Sequence, residues 1–473
     1  MDHSIETNQI FIEIGIDLSN SSTKSCSIFK VTAGLSNSNP DAYKPELVSI
    51  GPYHSNNPQL RSMENYKLRY LQRFLNRKSG IVDLERCIRE LKMLKDEALK
   101  CYDGIEDIYN NQNIDQFLKI LLYDGCFVVE FIRERCKMKP EGEDEIIEVG
   151  CIYHQVVRDM LLLENQLPFF VLTKLHDLTK TMDQTKTFIE LVKNTFYSSL
   201  LNMRHPSSFI ENEGNARRNI KHLLQLVHMS CQPLEKKSSH GESNLESKFP
   251  KNKLCWNPLK MIRLKDISKD KDHQSWKPWD ANIPNATELH EAGVRFSKVG
   301  KNCRSLEDRG DEDNSTSLSD IKFENGLLTL PYFGVFDSTE TILRNLIAYE
   351  QLSVDVHVKY FSDFSLFMDY LIDSEKDVSL LGQPGIIKNG IGDGKEVANF
   401  FNKIGKGISM SSNFYYKEEC RKLVQHCEKP WNRMKASLIH IYFYSPWAGA
   451  STIGAIILLI LTFIQTVLAF RSR

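Results

Sequence analysis

Few side chains in this chain of 473 residues stand at spacings that could do chemistry. The stretch NGIGDGKEVANFF, Asn389 to Phe401, offers the glycines and lysine of a phosphate loop. Such a loop needs Gly-x-x-x-x-Gly-Lys-Ser/Thr, so that backbone amides cradle the phosphates and the hydroxyl meets magnesium. Here Asn389 holds the first glycine position and Glu396 replaces the hydroxyl residue, so the stretch reads as a glycine turn with Asp393 capping the next helix. His222, His228 and Cys231 could meet a metal only from one helical face, and their spacing does not put all three there; they read as solvated or core side chains. His426 beside Cys427 reads the same way, and no nucleophile elbow, His-Glu-x-x-His helix or kinase set occurs. No catalytic, cofactor-binding or metal-ligating residue is assigned, and no cofactor is expected. If the chain is an enzyme with an unfamiliar site, two places could hold it: the trio Glu164, Asn165, Gln166 and the GPYH turn ending at His54. The trio has a simpler reading. Pro168 biases Leu167 away from helical geometry, so these side chains can satisfy the unpaired groups of a helix end; the alternative is a polar pocket in the core.

The elements that would position these residues are mainly helical. Pro58 to Arg77 carries Met63, Tyr66, Tyr70 and Phe74 on one stripe, and Ile81 to Asn110 repeats the period through Leu84, Ile88, Leu91, Leu94 and Ala98. Phe117 to Ile132 is apolar on most sides, as a central helix should be, and Tyr360 to Ile372 is an aromatic-rich buried helix. Ala286 to Ala292 reads as a short helix ended by Gly293, with strand alternation in VRFSKV. IKFENGLLTLP is a hairpin whose Asn325-Gly326 supplies the positive φ angles of a tight turn. Asp337 or Ser338 starts a further helix with Glu340 in a near capping box, and LVSIGPYH, Leu47 to His54, is β-prone. Glu85 with Arg89 and Glu134 with Lys137 suit surface ion pairs. The expected fold is mainly α, with a small β-hairpin element and one C-terminal transmembrane helix.

That last helix runs from Trp447 to Phe470 without a charged residue, long enough to cross a bilayer. Tyr442, Phe443, Tyr444 and Trp447 form an aromatic belt before it, and Arg471 and Arg473 close it. Gly449, Ala450, Gly454 and Ala455 are small enough to let two such helices approach, with Phe463 and Phe470 further along. The expected organisation is a flexible polar arm at 1–42, a helical part at 43–230, a variable polar insertion at 231–281 containing Trp256, Trp276 and Trp279, a second helical part at 282–440 with the hairpin, and a membrane anchor at 441–473. A second polar run, Arg304 to Ser319, reads as a surface loop. The acidic opening lacks the basic start and apolar run of a secretory signal, which favours a tail-anchored protein with a cytosolic body. A formal net charge of −1 gives no footprint for nucleic acid, and scattered cysteines without a Cys-x-x-Cys pair read as reduced thiols. The expected partners are therefore the lipid bilayer and another protein. An extracellular-facing receptor would need the opposite topology, and only then would Asn20, Asn285 and Asn314 be glycan acceptors.

LVSIGPYHSNNPQLRSMENYKLRYLQRFL resembles the opening of the plant family called domain of unknown function 247. The likeness continues in order through DGCFVVEFIR (Asp124 to Arg133), DMLLLENQLPFFVL (Asp159 to Leu172), PNATELHEAGVRF (Pro284 to Phe296), DIKFENGLLTLP (Asp320 to Pro331), DSTETILRNLIAYEQ (Asp337 to Gln351) and WNRMKASLIHIYFYSPWA (Trp431 to Ala448). Departures are local: the family usually has a second His or a Gly after the residue matching His54, and a His at Tyr66. Some grass members are associated with pollen self-incompatibility, so the resemblance implies recognition rather than turnover.

Overall fold

The computed structural model describes residues 26–77, 83–105, 108–109, 113–136, 149–180, 186–197, 220–231, 283–299, 317–411, 413–442 and 446–471. The three tryptophans of the polar insertion, Asn20, Asn314, Lys137, Phe443, Tyr444 and Arg473 lie outside them. The described chain is mainly α. In order its helices are α1 (Ala33–Ser36), α2 (Glu64–Leu75), α3 (Leu84–Lys100), α4 (Ile114–Arg135), α5 (Gly150–Met160), α6 (Phe169–Leu178), α7 (Phe188–Tyr197), α8 (Leu223–Ser230), α9 (Ala286–Glu291), α10 (Thr339–Leu352), α11 (Tyr360–Leu371), α12 (Glu375–Gly382), α13 (Gly394–Ile404), α14 (Lys417–Glu428), α15 (Pro430–Tyr442) and α16 (Pro446–Arg471). The strands are β1 (Arg295–Lys298), β2 (Lys322–Glu324), β3 (Leu327–Leu330), β4 (Phe333–Val335) and β5 (Ile387–Asn389).

An apolar run without a polar face must be covered on every side. Accordingly α4 is buried through Phe117, Leu121, Phe127, Phe131 and Ile132, and α2, α3, α6 and α7 pack around it. Gly125 allows the closest approach: a Cβ there would lie 2.4 Å from Leu175 Cδ1 of α6. Charges buried on α4 are paired, Asp124 with Lys67 at 2.7 Å and Glu130 with Arg77. Glu134 also faces inward, with Arg77 3.7 Å away; Lys137, the surface partner expected of it, lies outside the described residues. A second buried hub, α10, packs against α8, α11, α13 and β4. Buried residues from Ile28 to Leu423 form one contiguous core shared by both helical parts.

The body begins earlier than the composition suggested. From Cys26 the chain is packed rather than a free arm: Ile28 is fully buried, and the Ser27 and Ile28 amides both donate to the Cys101 carbonyl at 2.9 Å. The hairpin forms as expected, β2 antiparallel to β3, with Asn325 at φ 51° and Gly326 at φ 76°. β1 adds to β3 in parallel, and β4 and β5 make a separate parallel pair. The α10 capping box is absent because a turn from β4 starts this helix: Ser338 makes no side-chain cap, and the Thr339 hydroxyl accepts from the Phe336 amide at 2.9 Å. The box forms instead at α9, between Asn285 and Glu288.

Candidate functional site

LVSIGPYH is not a strand. Its amides are taken by buried side chains. The Asp159 carboxylate, just past the middle of the chain's first helical part, accepts from Leu47 at 2.7 Å, Val48 at 2.9 Å and Glu46 at 3.1 Å. Ile50 donates to Asn165 Oδ1 at 2.6 Å, and Gly51 to Asp124 Oδ2 at 2.8 Å. Gly51 sits at φ 80°, where a Cβ would meet the Gln166 carbonyl at 2.5 Å.

The trio completes this lock. Asn165 Nδ2 donates to the carbonyls of Val48 and Asp159, at 3.0 and 2.9 Å. Gln166 Nε2 donates to Met160 and Leu162, both at 2.8 Å, and its Oε1 accepts from the Leu224 amide that opens α8. The carbonyls left by the end of α5 are thus met by side chains, and the polar cluster is filled with main-chain groups rather than hollow. Glu164 is less enclosed. Its Oε1 accepts from the Val31 amide at 2.7 Å, and burial raises its carboxyl above the usual range. His54 Nε2 lies 3.6 Å from Glu164 Oε2 and makes no hydrogen bond. Burial, with Lys44 nearby, lowers the imidazole to about 4, so the two do not form an ion pair at neutral pH. A cleft of about 190 Å³ between Ser49, Lys67, Gln116 and Tyr123 is lined by neither.

Three further side chains that were not singled out in the sequence do comparable work. Asn345 of α10 accepts from the Leu163 amide at 2.9 Å and donates to Ala42 O at 2.8 Å. Glu350 accepts from the amides of Phe361 and Ser362 at the start of α11. Asp377 accepts from the amides of Thr287 and Ser374, joining α9 to α12. Their side chains stand among other polar residues in the sequence, and their partners, up to about three hundred positions away for Asn345, were not legible.

The glycine turn is a helix start. Asn389 Oδ1 accepts from the amides of Ile391 and Gly392, at 3.0 and 2.9 Å, and Asp393 accepts from Lys395 at 2.8 Å. Amides that would cradle a phosphate are already bonded within the turn. His222 and His228 are core side chains. His222 Nδ1 accepts from the Gln225 amide and caps α8, His228 Nε2 lies 2.9 Å from Glu350 Oε1, and both rings stand edge-on to Tyr349. Cys231 is not drawn to them, and burial pushes its thiol up to about 12. Among the described residues no three His, Cys, Asp or Glu side chains converge as metal ligands, and no two cysteines form a disulfide.

The terminal helix is of another kind. α16 has 26 residues, about 39 Å at 1.5 Å rise each, against a hydrocarbon core of about 30 Å. Ala450–Leu468 has a mean hydropathy of 2.2 and is 0% buried by the rest of the chain. Its hydroxyls are satisfied within the helix: Ser451 donates to Trp447 O, Thr462 to Leu458 O and Thr466 to Thr462 O. Trp447 is 84% exposed, Phe463 is exposed, and the space around Gly454 is open; Gly449 and Phe470 belong to the same helix. This is one helix long and apolar enough to cross a membrane.

A family model described as a plant protein of unknown function, DUF247, matches residues 28–461. The chain is similar to UPF0481 protein At3g47200 of Arabidopsis thaliana, 27% identical over 461 residues that cover 96% of this chain and 88% of the relative. It is also similar to putative UPF0481 protein At3g02645 of the same plant, 23% identical over 508 residues covering 93% and 89%. No solved structure matches. The matched region runs from the first packed residues into the terminal apolar helix, and the chain belongs to the DUF247 family of plant proteins of unknown function.

Proposed function

We propose that this protein is a membrane-anchored recognition or scaffold protein without catalytic activity, held by α16 with its body in the cytosol. The observation that carries the reading is the apolar surface of α16, which the body leaves uncovered. Water does not tolerate so large a contiguous apolar surface, and a bilayer removes it. The absence of activity is supported by how the buried polar side chains are used. Asp124, Asp159, Asn165, Gln166, Asn345, Glu350 and Asp377 each bind main-chain groups and hold segments together. The cytosolic body is supported by Lys429, Arg433 and Lys435 on its side of α16. Protease protection on sealed microsomes tests the topology, using a tag at Met1 so that the packed segment from Cys26 is undisturbed. Digestion of the tag without a glycosidase-sensitive shift is expected; protection with a shift would put the body outside and make Asn285 an acceptor.

A further inference from the structure

We propose that α15 is an interfacial helix that lies in the headgroup layer of an anionic bilayer and seats the body on the membrane. This rests on the membrane-anchor reading of α16 and adds a second contact to it. Trp431, Met434 and Leu438 are 73%, 49% and 46% exposed. Their i, i+3, i+7 spacing puts them on one face of the helix. Asn432 and Ala436, half-buried, mark the opposite side, where α15 meets α9 and α14. An apolar stripe this exposed needs a cover, and two features on the chain say which. One is proximity along the chain: α16 starts at Pro446, four positions after α15 ends at Tyr442, so the stripe is delivered to the bilayer surface with the anchor. The other is charge: Lys429, Arg433 and Lys435 are exposed, and no Asp or Glu occurs from Lys429 to Arg471. Basic residues beside an apolar stripe bind an anionic headgroup layer, with Trp at the boundary between headgroups and chains.

The helix cannot swing free of the body. Only Lys429 separates α14 from α15, Asn432 Nδ2 donates to His426 O at 2.8 Å, and the Arg433 amide donates to Lys429 O at 2.9 Å. A bilayer that holds α15 therefore holds the body at a fixed attitude, unlike an anchor on a loose tether.

The test uses the full chain reconstituted into vesicles of phosphatidylcholine, with or without phosphatidylserine, and acyl chains brominated near the headgroup. The difference in tryptophan fluorescence between wild type and Trp431→Phe isolates Trp431, an exposed position whose replacement leaves the fold intact. That difference signal should be blue-shifted and quenched by bromine, more strongly with phosphatidylserine. Arg433→Glu/Lys435→Glu should reduce the quenching to the phosphatidylcholine level. A red, unquenched Trp431 signal in vesicles that carry the protein on flotation would overturn the proposal alone. Equal quenching in both lipids would overturn its anionic requirement. A chain that fails to float with either vesicle would sink the anchor reading and this proposal together.

Discussion

His54, His176 and His222 share one consequence of burial: each imidazole is neutral in the folded chain well below its ordinary range, at about 4, about 3 and about 3. In the unfolded chain they take a proton near 6.5. Their contribution to stability is therefore fully present above that pH and is lost as pH falls through 6.5 toward 4 and 3. Asp363 works against them. Burial lifts its carboxyl to about 7, with Oδ2 accepting from the Tyr415 amide and Oδ1 unpartnered, so the folded chain holds a proton there that the unfolded chain has lost above about 4. Between pH 4 and 6.5, Asp363→Asn should steepen the rise of unfolding free energy with pH by about 1.4 kcal/mol per unit. His222→Asn, which keeps an acceptor for the α8 cap, should flatten it by a similar amount. Urea titrations in detergent across that range read both slopes, and parallel profiles for all three proteins would contradict the assignment. Little of this was visible in the sequence. Histidines at 222 and 228 read only as solvated or core side chains, and their burial came from the structure; nothing local marks Asp363 as buried either.

The segment Glu46 to Gly51 shows how an element can be β-prone by composition and yet have no strand partner. Its amides are satisfied by the side chains of Asp159, Asn165 and Asp124, residues on α5, just beyond it and on α4. Strand propensity measures fit to a pleated neighbour, and here the neighbour is a set of side chains. Helical periods, the Asn325-Gly326 turn and the Asp393 cap are short-range features, and all three were legible. The parallel additions of β1 to β3 and β4 to β5 were not, since neither join is written in adjacent residues. Asn165→Leu tests the lock between segment and helix end. It leaves the Ile50 amide and the Val48 and Asp159 carbonyls without their side-chain partner. Buried groups left unpaired cost about 1–3 kcal/mol each, so a loss of roughly 3 kcal/mol or more is expected in chemical denaturation. A variant as stable as wild type, with a partner or ligand lost instead, would turn the trio back into a binding pocket.

At the scale of the whole molecule the chain divides by solvent. From Ile28 to Leu423 its apolar residues close into one core, whereas α16 keeps Ile457, Leu458, Leu459 and Leu461 at least half exposed. Under the proposed anchoring, burial inside the body and exposure at the end have the same physical cause, apolar surface seeking a medium without water. The terminal segment was the most legible part of the sequence, because a long charge-free run needs no distant partner to interpret. Body and family motifs were legible as helices but not as an interlocked set, because the interlocks cross from one motif to another. Alkaline carbonate extraction of membranes carrying the full chain tests the anchor most directly, with wild type compared with Leu458→Arg/Leu461→Arg. Each arginine near the bilayer centre costs about 3 kcal/mol of insertion. Wild type should stay in the membrane pellet, and the double variant should move to the supernatant with its body still protease-resistant. Release of wild type, or retention of the double variant, would contradict a chain held by its last helix.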